Sequence, residues 1–333
     1  MADYTSTPRD LVLTIMHRGT FDYIAPFVLS LRNTGYRGSI AVLVSRVDRR
    51  SVEQLRELNV IIAPFRFSGR RHRQRLARFW PIWRWFFSTG APHSLKIRLA
   101  HAVFHLYYRR HLLYLEFLEK HVSDFDRVLL ADGRDIFFQA DPFAWNWTAG
   151  VHFFLEETSH RIMNCPAQRQ WLTKQFGLSF LETHGQKTGA CAGTTFGDIA
   201  GICQYLKLMA ATTMQALDLR DVPEGDQGIH NYILIQKLMS NITVHENRRG
   251  PVMTLFFSRE ANIQTDASGS LVNEDGTIVP ILHQYDRFPA LKERLLKSLS
   301  RTMRSADSGF SRHVHRDFSK LPGKIAWILG ASM

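Results

Sequence analysis

Apolar and polar positions fall into a strand–helix–strand rhythm over the first third of the chain. Residues 11–16 (LVLTIM) form an apolar run of strand length. In residues 21–34 the apolar positions Ile24, Phe27, Val28 and Leu31 recur at three- and four-residue intervals, which places them on one helix face. Gly35 and Gly38 close that helix, and residues 40–44 (IAVLV) predict a second buried strand. A helix over 51–58 and a strand over 60–62 follow. Strands this short and continuously apolar, alternating with helices, predict an α/β fold with a mostly parallel, Rossmann-like sheet. Ligands bind such sheets beyond the carboxyl ends of their strands. The turn after the first strand, with His17, Gly19 and Thr20, is therefore the expected wall of a nucleotide pocket.

Further along, residues 100–120 predict one long helix feeding a strand over 126–131. An extended segment over 151–155, a helix over 167–176 and a run of small residues over 189–197 come next. Residues 199–216 and 227–239 read as helices. Residues 278–282 read as an extended segment that delivers His283, and Pro280 marks it as an edge or a strand start. The expected organisation is one catalytic domain over 1–286, with a basic aromatic insertion at about 66–111, and a basic helical extension over 287–333.

Charge changes this picture because it is unevenly spread. The chain of 333 residues carries a net charge of +12. Residues 58–115 hold eleven Lys/Arg and no acid, and residues 287–324 hold ten Lys/Arg against three acids. The first of these segments also gathers Trp80, Trp83, Trp85, Phe86 and Phe87. Basic side chains interleaved with rings suit an anionic partner. An anionic membrane surface, met through 66–111 and 287–324, is the expected one. An acidic polysaccharide would serve as well, and no nucleic acid is expected. Three cysteines at no metal-ligand spacing fit a reducing compartment. With no signal-peptide core and no membrane-length apolar run, the expected location is the cytoplasm, peripheral on the inner face of the membrane.

The segment over 128–143, VLLADGRDIFFQADPF, is where the chemistry concentrates. An apolar strand ends on Asp132 and Asp135, and two carboxylates at a strand end can hold Mg²⁺ or Mn²⁺ while leaving positions for phosphate oxygens. Arg134 between them can pair with phosphate or lock a carboxylate. The alternative is that the two acids cap a turn. Glu156 and Glu157 read as solvated surface, with acceptor hydroxyls as their other use. Asn164, Cys165 and Trp171 read as packing residues.

With these residues in place, the chain resembles the GT-A glycosyltransferases. The strand, the carboxylate pair and the following Asp-Pro-Phe look like their DxD region, including its Asp-x-x-Asp variant. CAGTTFG (191–197) is similar to the small-Gly-small strand beneath the donor sugar, which implies roles for Gly193 and Thr194. EGDQGIHN (224–231) resembles the Asp-Gln-Gly-x-x-Asn stretch of glycogenin and its retaining relatives, placing Asp226 and Gln227 at the sugar. LHQYDR (282–287) resembles the late segment whose histidine, here His283, supplies a third metal ligand. The resemblance spans roughly 11–287. It implies a metal-dependent, retaining hexosyltransferase with a UDP-sugar as expected donor and a glycan, lipid-linked or protein acceptor, in polysaccharide or glycolipid synthesis. The Gly and Lys-Pro-Trp that follow the histidine in glycogenin are missing, so Arg287 becomes a candidate for the diphosphate. Counted back from Asp141, Asp135 falls where the last Asp of the DxD pattern belongs, and Asp132 lies one position further out than the first.

Two other readings stay open on the residues alone. A nucleotidyltransferase uses similar carboxylate and metal chemistry but would show a Gly-rich basic loop where His17 to Thr20 stand. A membrane- or nucleic-acid-binding protein would need the acidic cluster only as structure.

Overall fold

The computed structural model describes residues 9–67 and 76–305, with side chains as far as residue 300. The chain opens with β1 (Asp10–His17), α1 (Phe21–Asn33), β2 (Ser39–Ser45), α2 (Arg49–Glu57) and β3 (Val60–Pro64). Three helices come before the next strand: α3 (Trp80–Ser88), α4 (His93–Val103) and α5 (Leu106–Lys120). Then come β4 (Arg127–Ala131), β5 (Ile136–Phe138), β6 (Val151–Phe154), α6 (Pro166–Phe176), α7 (Leu178–His184), β7 (Thr194–Asp198) and α8 (Ile199–Gln215). The last part holds α9 (Asp226–Ile235), β8 (Ile242–His245), β9 (Val252–Thr254), β10 (Gln264–Thr265), β11 (Leu271–Val272), β12 (Ile281–His283) and α10 (Pro289–Ser305).

The main sheet has seven strands in the order β3-β2-β1-β4-β7-β6-β8. β7 pairs antiparallel with β4 and β6, and every other pairing is parallel. The fold is therefore α/β with a mostly parallel sheet, the arrangement expected of a Rossmann-like fold. Leu11, Val12, Leu13, Ile40, Ala41 and Val42 are all fully buried, as strands covered on both faces must be. One face packs on α1, α2 and α10. The other packs on the α3–α5 helices and α8. A smaller sheet, β5-β12-β9, joins the first face, with β12 antiparallel to β5 and in register His283 opposite Ile136. That register carries His283 to the turn that follows β4.

Three elements depart from the expected pattern. Residues 100–120 do not form one helix, because Phe104 and His105 are extended (φ −70°, ψ 138° and φ −65°, ψ 159°). Phe104 turns inward, its ring 6.2 Å from Trp80 and 6.0 Å from Phe87. The helix expected to reach Met239 stops at Ile235, and Lys237 takes a positive φ of 52°. The segment expected over 278–282 becomes a strand only after Pro280, so the proline does mark a strand start, but β12 is the central strand of its sheet and not an edge.

The start of the basic extension belongs to the core. Leu291, Leu295, Leu296 and Leu299 of α10 are buried with the α1 side chains, each contributing roughly 2 kcal/mol of apolar burial. The described parts of the two basic segments thus lie on opposite faces of the sheet. Residues 68–75 of the first and 306–324 of the second lie outside the described residues. Among the described residues, no helix is long and apolar enough to cross a membrane.

Candidate metal and ligand site

β4 delivers its chain to the carboxyl end of the parallel sheet, and the turn over 132–135 begins there. Gly133 is required at this turn, since a Cβ would come within 2.8 Å of the Thr14 hydroxyl and 3.3 Å of Ile24. Asp135 then enters β5, and the Gln284 backbone N–H donates to its carbonyl at 2.6 Å. Gln284 holds this contact in the left-handed region, at φ 59°. The sheet pairing of β5 and β12 brings together Asp132, Asp135 and His283, whose ligand atoms all lie within 4.8 Å of one another. His283 Nε2 stands 3.7 Å from Asp135 Oδ1 and 4.0 Å from Asp132 Oδ2.

The remaining atoms of these three side chains are held from behind. Asp132 Oδ1 accepts from Arg110, and Asp135 Oδ2 accepts from Arg134 at 3.0 Å. His283 Nδ1 lies 3.5 Å from Cys191 Sγ. Each group therefore keeps one ligand atom facing the others, and His283 Nε2, buried, has no hydrogen-bond partner among the described residues. A buried orphan nitrogen beside two carboxylate oxygens is costly unless something sits between them. Oxygen and nitrogen ligands around a small divalent cation stand about 2.1 Å from it, and hence roughly 3–4 Å from each other. The two His283–carboxylate separations fall within that spacing, and the donor set suits Mn²⁺ or Mg²⁺. Arginine and thiol partners that fix the ligands' orientation are what such a site needs.

Charge is divided unequally between the two acids. Burial raises the Asp132 carboxyl above its ordinary range, with Asp135 adding to the effect and Arg110 opposing it. Burial also acts on Asp135, but His283 and Arg134 outweigh it and hold that carboxyl below its ordinary range.

Gly193 closes the other side. Its carbonyl accepts from the Asp132 N–H at 2.8 Å, and a Cβ there would lie 2.5 Å from His283 Nε2 and 3.1 Å from Asp132 Oδ2. Thr194 is fully buried and paired with Ala131 in the sheet. His17 packs edge-on against Phe67, with ring centroids 4.9 Å apart. Gly19 takes φ 102° and Thr20 caps α1 through its backbone. Tyr23, one turn on, feels the charges of Arg134, Asp135 and Asp132, which places the start of α1 next to the cluster. Arg287 stands over the Phe256 ring at 4.9 Å and 3.9 Å from Asp286. Its charge still helps hold Asp135 down.

Asp226 and Gln227 open α9. Asp226 is not free to cap the helix by its side chain, because Arg110 Nη2 binds its Oδ2 at 2.7 Å and His111 Nε2 stands 3.3 Å from the same atom. Burial pushes the Asp226 carboxyl up, yet Arg110 and His111 win and hold it below the usual range. Arg110 thus bridges Asp132 to Asp226 and joins the Asp132–Asp135–His283 cluster to the α9 terminus. Gln227 donates to Glu156 Oε1 at 3.0 Å, and Gln168 donates to the other oxygen at 2.5 Å.

Several residues were misjudged or passed over in the sequence. Glu156 and Glu157 are not solvated: they are 4% and 2% exposed, Glu156 under the two glutamines and Glu157 against Arg248 at 3.1 Å. Burial pushes the Glu156 carboxyl up to about 7. Of the residues read as packing, Cys165 is buried and Trp171 half-buried, but Asn164 is exposed. Arg110 reads as one more surface charge in a basic run, yet it is 7% exposed. Its signal was helical: Leu113, Tyr114 and Phe117, three, four and seven positions on, are buried on the same face. No family model matches the sequence, and no curated protein matches it.

Proposed function

We propose that this protein is a metal-dependent glycosyltransferase of the GT-A type, moving a sugar from a nucleotide-diphosphate donor to a glycan, lipid-linked or protein acceptor. The observation that carries the reading is the inward-facing set of Asp132 Oδ2, Asp135 Oδ1 and His283 Nε2, with every other polar atom of the three held from behind. These residues would hold the divalent cation, which neutralises charge on a departing nucleoside diphosphate. The location supports the reading, since ligands of parallel sheets bind beyond the carboxyl ends of the strands.

The chain's own groups supply the rest. Asp226, kept ionised by Arg110 and His111, offers a fixed negative charge suited to sugar hydroxyls and to positive character at the anomeric carbon. We assign it to positioning donor or acceptor. Gln227, tied to Glu156, orders the same helix end. Gly193, lacking a side chain, lets His283 and Asp132 pack directly against its backbone. Arg134, paired with Asp135, and Arg287, whose charge acts on Asp135, are candidate cations for phosphate. A UDP-sugar is the first donor to try, and retention at the anomeric carbon is expected from the motif order.

The test is turnover. The protein with Mn²⁺ and a panel of nucleotide sugars is expected to release nucleoside diphosphate, and Asp135→Asn is expected to abolish the release. Release of inorganic pyrophosphate instead would favour a nucleotidyltransferase. Unaltered donors across the panel, with and without glycan acceptors, would remove the transferase reading. NMR of the product sugar fixes the stereochemistry.

A further inference from the structure

α3 is apolar on two sides. Trp80 and Phe87 face inward, and the Trp80 indole N–H donates to the Ala216 carbonyl at 3.1 Å. On the other side Ile82 and Trp85 are 55% and 68% exposed, and Phe79, at the turn that leads into the helix, is 52% exposed. Leu95 of α4 adds a fourth large apolar side chain at 47%. Solvent-facing apolar groups clustered on one short helix mark an interaction surface. Arg84 and Arg98 are exposed on the same helical pair and Arg78 on the turn just before it, and the chain holds no acid from residue 58 to residue 115.

Apolar and aromatic side chains projecting outward beside guanidinium groups are the composition of an interfacial helix. The rings sit at headgroup depth and the arginines meet lipid phosphates. A nucleic acid would also draw the arginines, but it gives no return for Ile82, which has no ring to stack and stands beside the two aromatics. The described start of α10, the other basic element, packs on the opposite face of the sheet.

We propose that the α3–α4 face docks this protein onto an anionic lipid bilayer, with Phe79, Ile82 and Trp85 inserted among the headgroups and Arg78, Arg84 and Arg98 paired with lipid phosphates. The inference stands independently of the reading of the metal site. It does bear on it, because α3 and α4 run directly into α5, whose Arg110 grips Asp132 and Asp226. Docking fixes that helix layer to the surface, where a lipid-linked molecule would be found.

Flotation of the full chain with vesicles tests the proposal, using phosphatidylcholine alone and phosphatidylcholine with about a third phosphatidylglycerol. The protein is expected to float with the anionic vesicles and to stay behind with the neutral ones. Phe79→Ser, Ile82→Ser and Trp85→Ser together are expected to lower the bound fraction about tenfold or more. Arg84→Glu with Arg98→Glu is expected to do the same. All of these side chains are exposed, so the unfolding midpoint should hold; should the triple variant unfold, Trp85→Ser alone must still weaken flotation severalfold. Equal flotation on both vesicle types, flotation on neither, or a serine variant that floats like the parent would overturn the proposal. So would duplex DNA binding that exceeds vesicle binding and ignores the serine changes.

Discussion

Arg110 and Asp226 form an ion pair at 2.7 Å in which neither residue is more than 7% exposed. The other terminal nitrogen of Arg110 holds Asp132, so one buried cation serves two acids from distant parts of the chain. Removing one partner of a buried pair leaves an uncompensated charge and costs about 3–5 kcal/mol. Arg110→Met is expected to destabilise the protein by about that much in denaturant unfolding. Arg110→Met with Asp226→Asn is expected to recover part of the loss. An Arg110→Met variant as stable as the parent would show that the bridge does not form.

Glu156 predicts a pH effect of definite sign. Its folded carboxyl titrates at about 7, raised by burial, against about 4.3 in an unfolded chain. Between those values the folded state holds the extra proton, so this group makes stability fall as pH rises, until the loss levels off above about 7. Glu156→Gln removes that dependence. Relative to the parent, it is expected to be more stable at pH 8 than at pH 5 by on the order of 2–3 kcal/mol. Urea unfolding at the two pH values reads the difference, and parallel pH curves for the two proteins would contradict it.

Gly193 predicts a loss of metal without a change in ligand chemistry. Its Cβ would press on His283 Nε2 and on Asp132 Oδ2. Gly193→Ala is expected to cost about 1–3 kcal/mol of stability by overpacking and to abolish the rise in unfolding temperature expected for the parent with Mn²⁺. A Gly193→Ala protein that still responds to Mn²⁺ as the parent does would place the ion elsewhere.

The parallel half of the sheet was legible in the sequence because its strands are short unbroken apolar runs between helices of clear period. The reversed direction of β7 was not, since TTFGD carries no mark of direction. The break between α4 and α5 was hidden because neither glycine nor proline stands there; the packing of Phe104 on Trp80 and Phe87 makes it. Asp132, Asp135 and His283 were nominated by motif order, but their meeting depends on a β5–β12 register that no local pattern encodes. Arg110 and Glu156 were lost for the same physical reason: a charged residue reads as solvated until the fold supplies its partner. For Arg110 those partners lie 22 and 116 positions away in the chain.

Calorimetric titration of nucleoside diphosphates, UDP first, with Mn²⁺ and with chelator, in the parent and in Asp135→Ala, measures directly whether Asp132, Asp135 and His283 hold a divalent cation that binds the diphosphate of a sugar donor. The expected result is binding at least about tenfold tighter with Mn²⁺ and its loss in Asp135→Ala, as for removal of a metal ligand. If no nucleoside diphosphate binds in a metal-dependent way, or if Asp135→Ala binds as the parent does, these three residues do not form such a site.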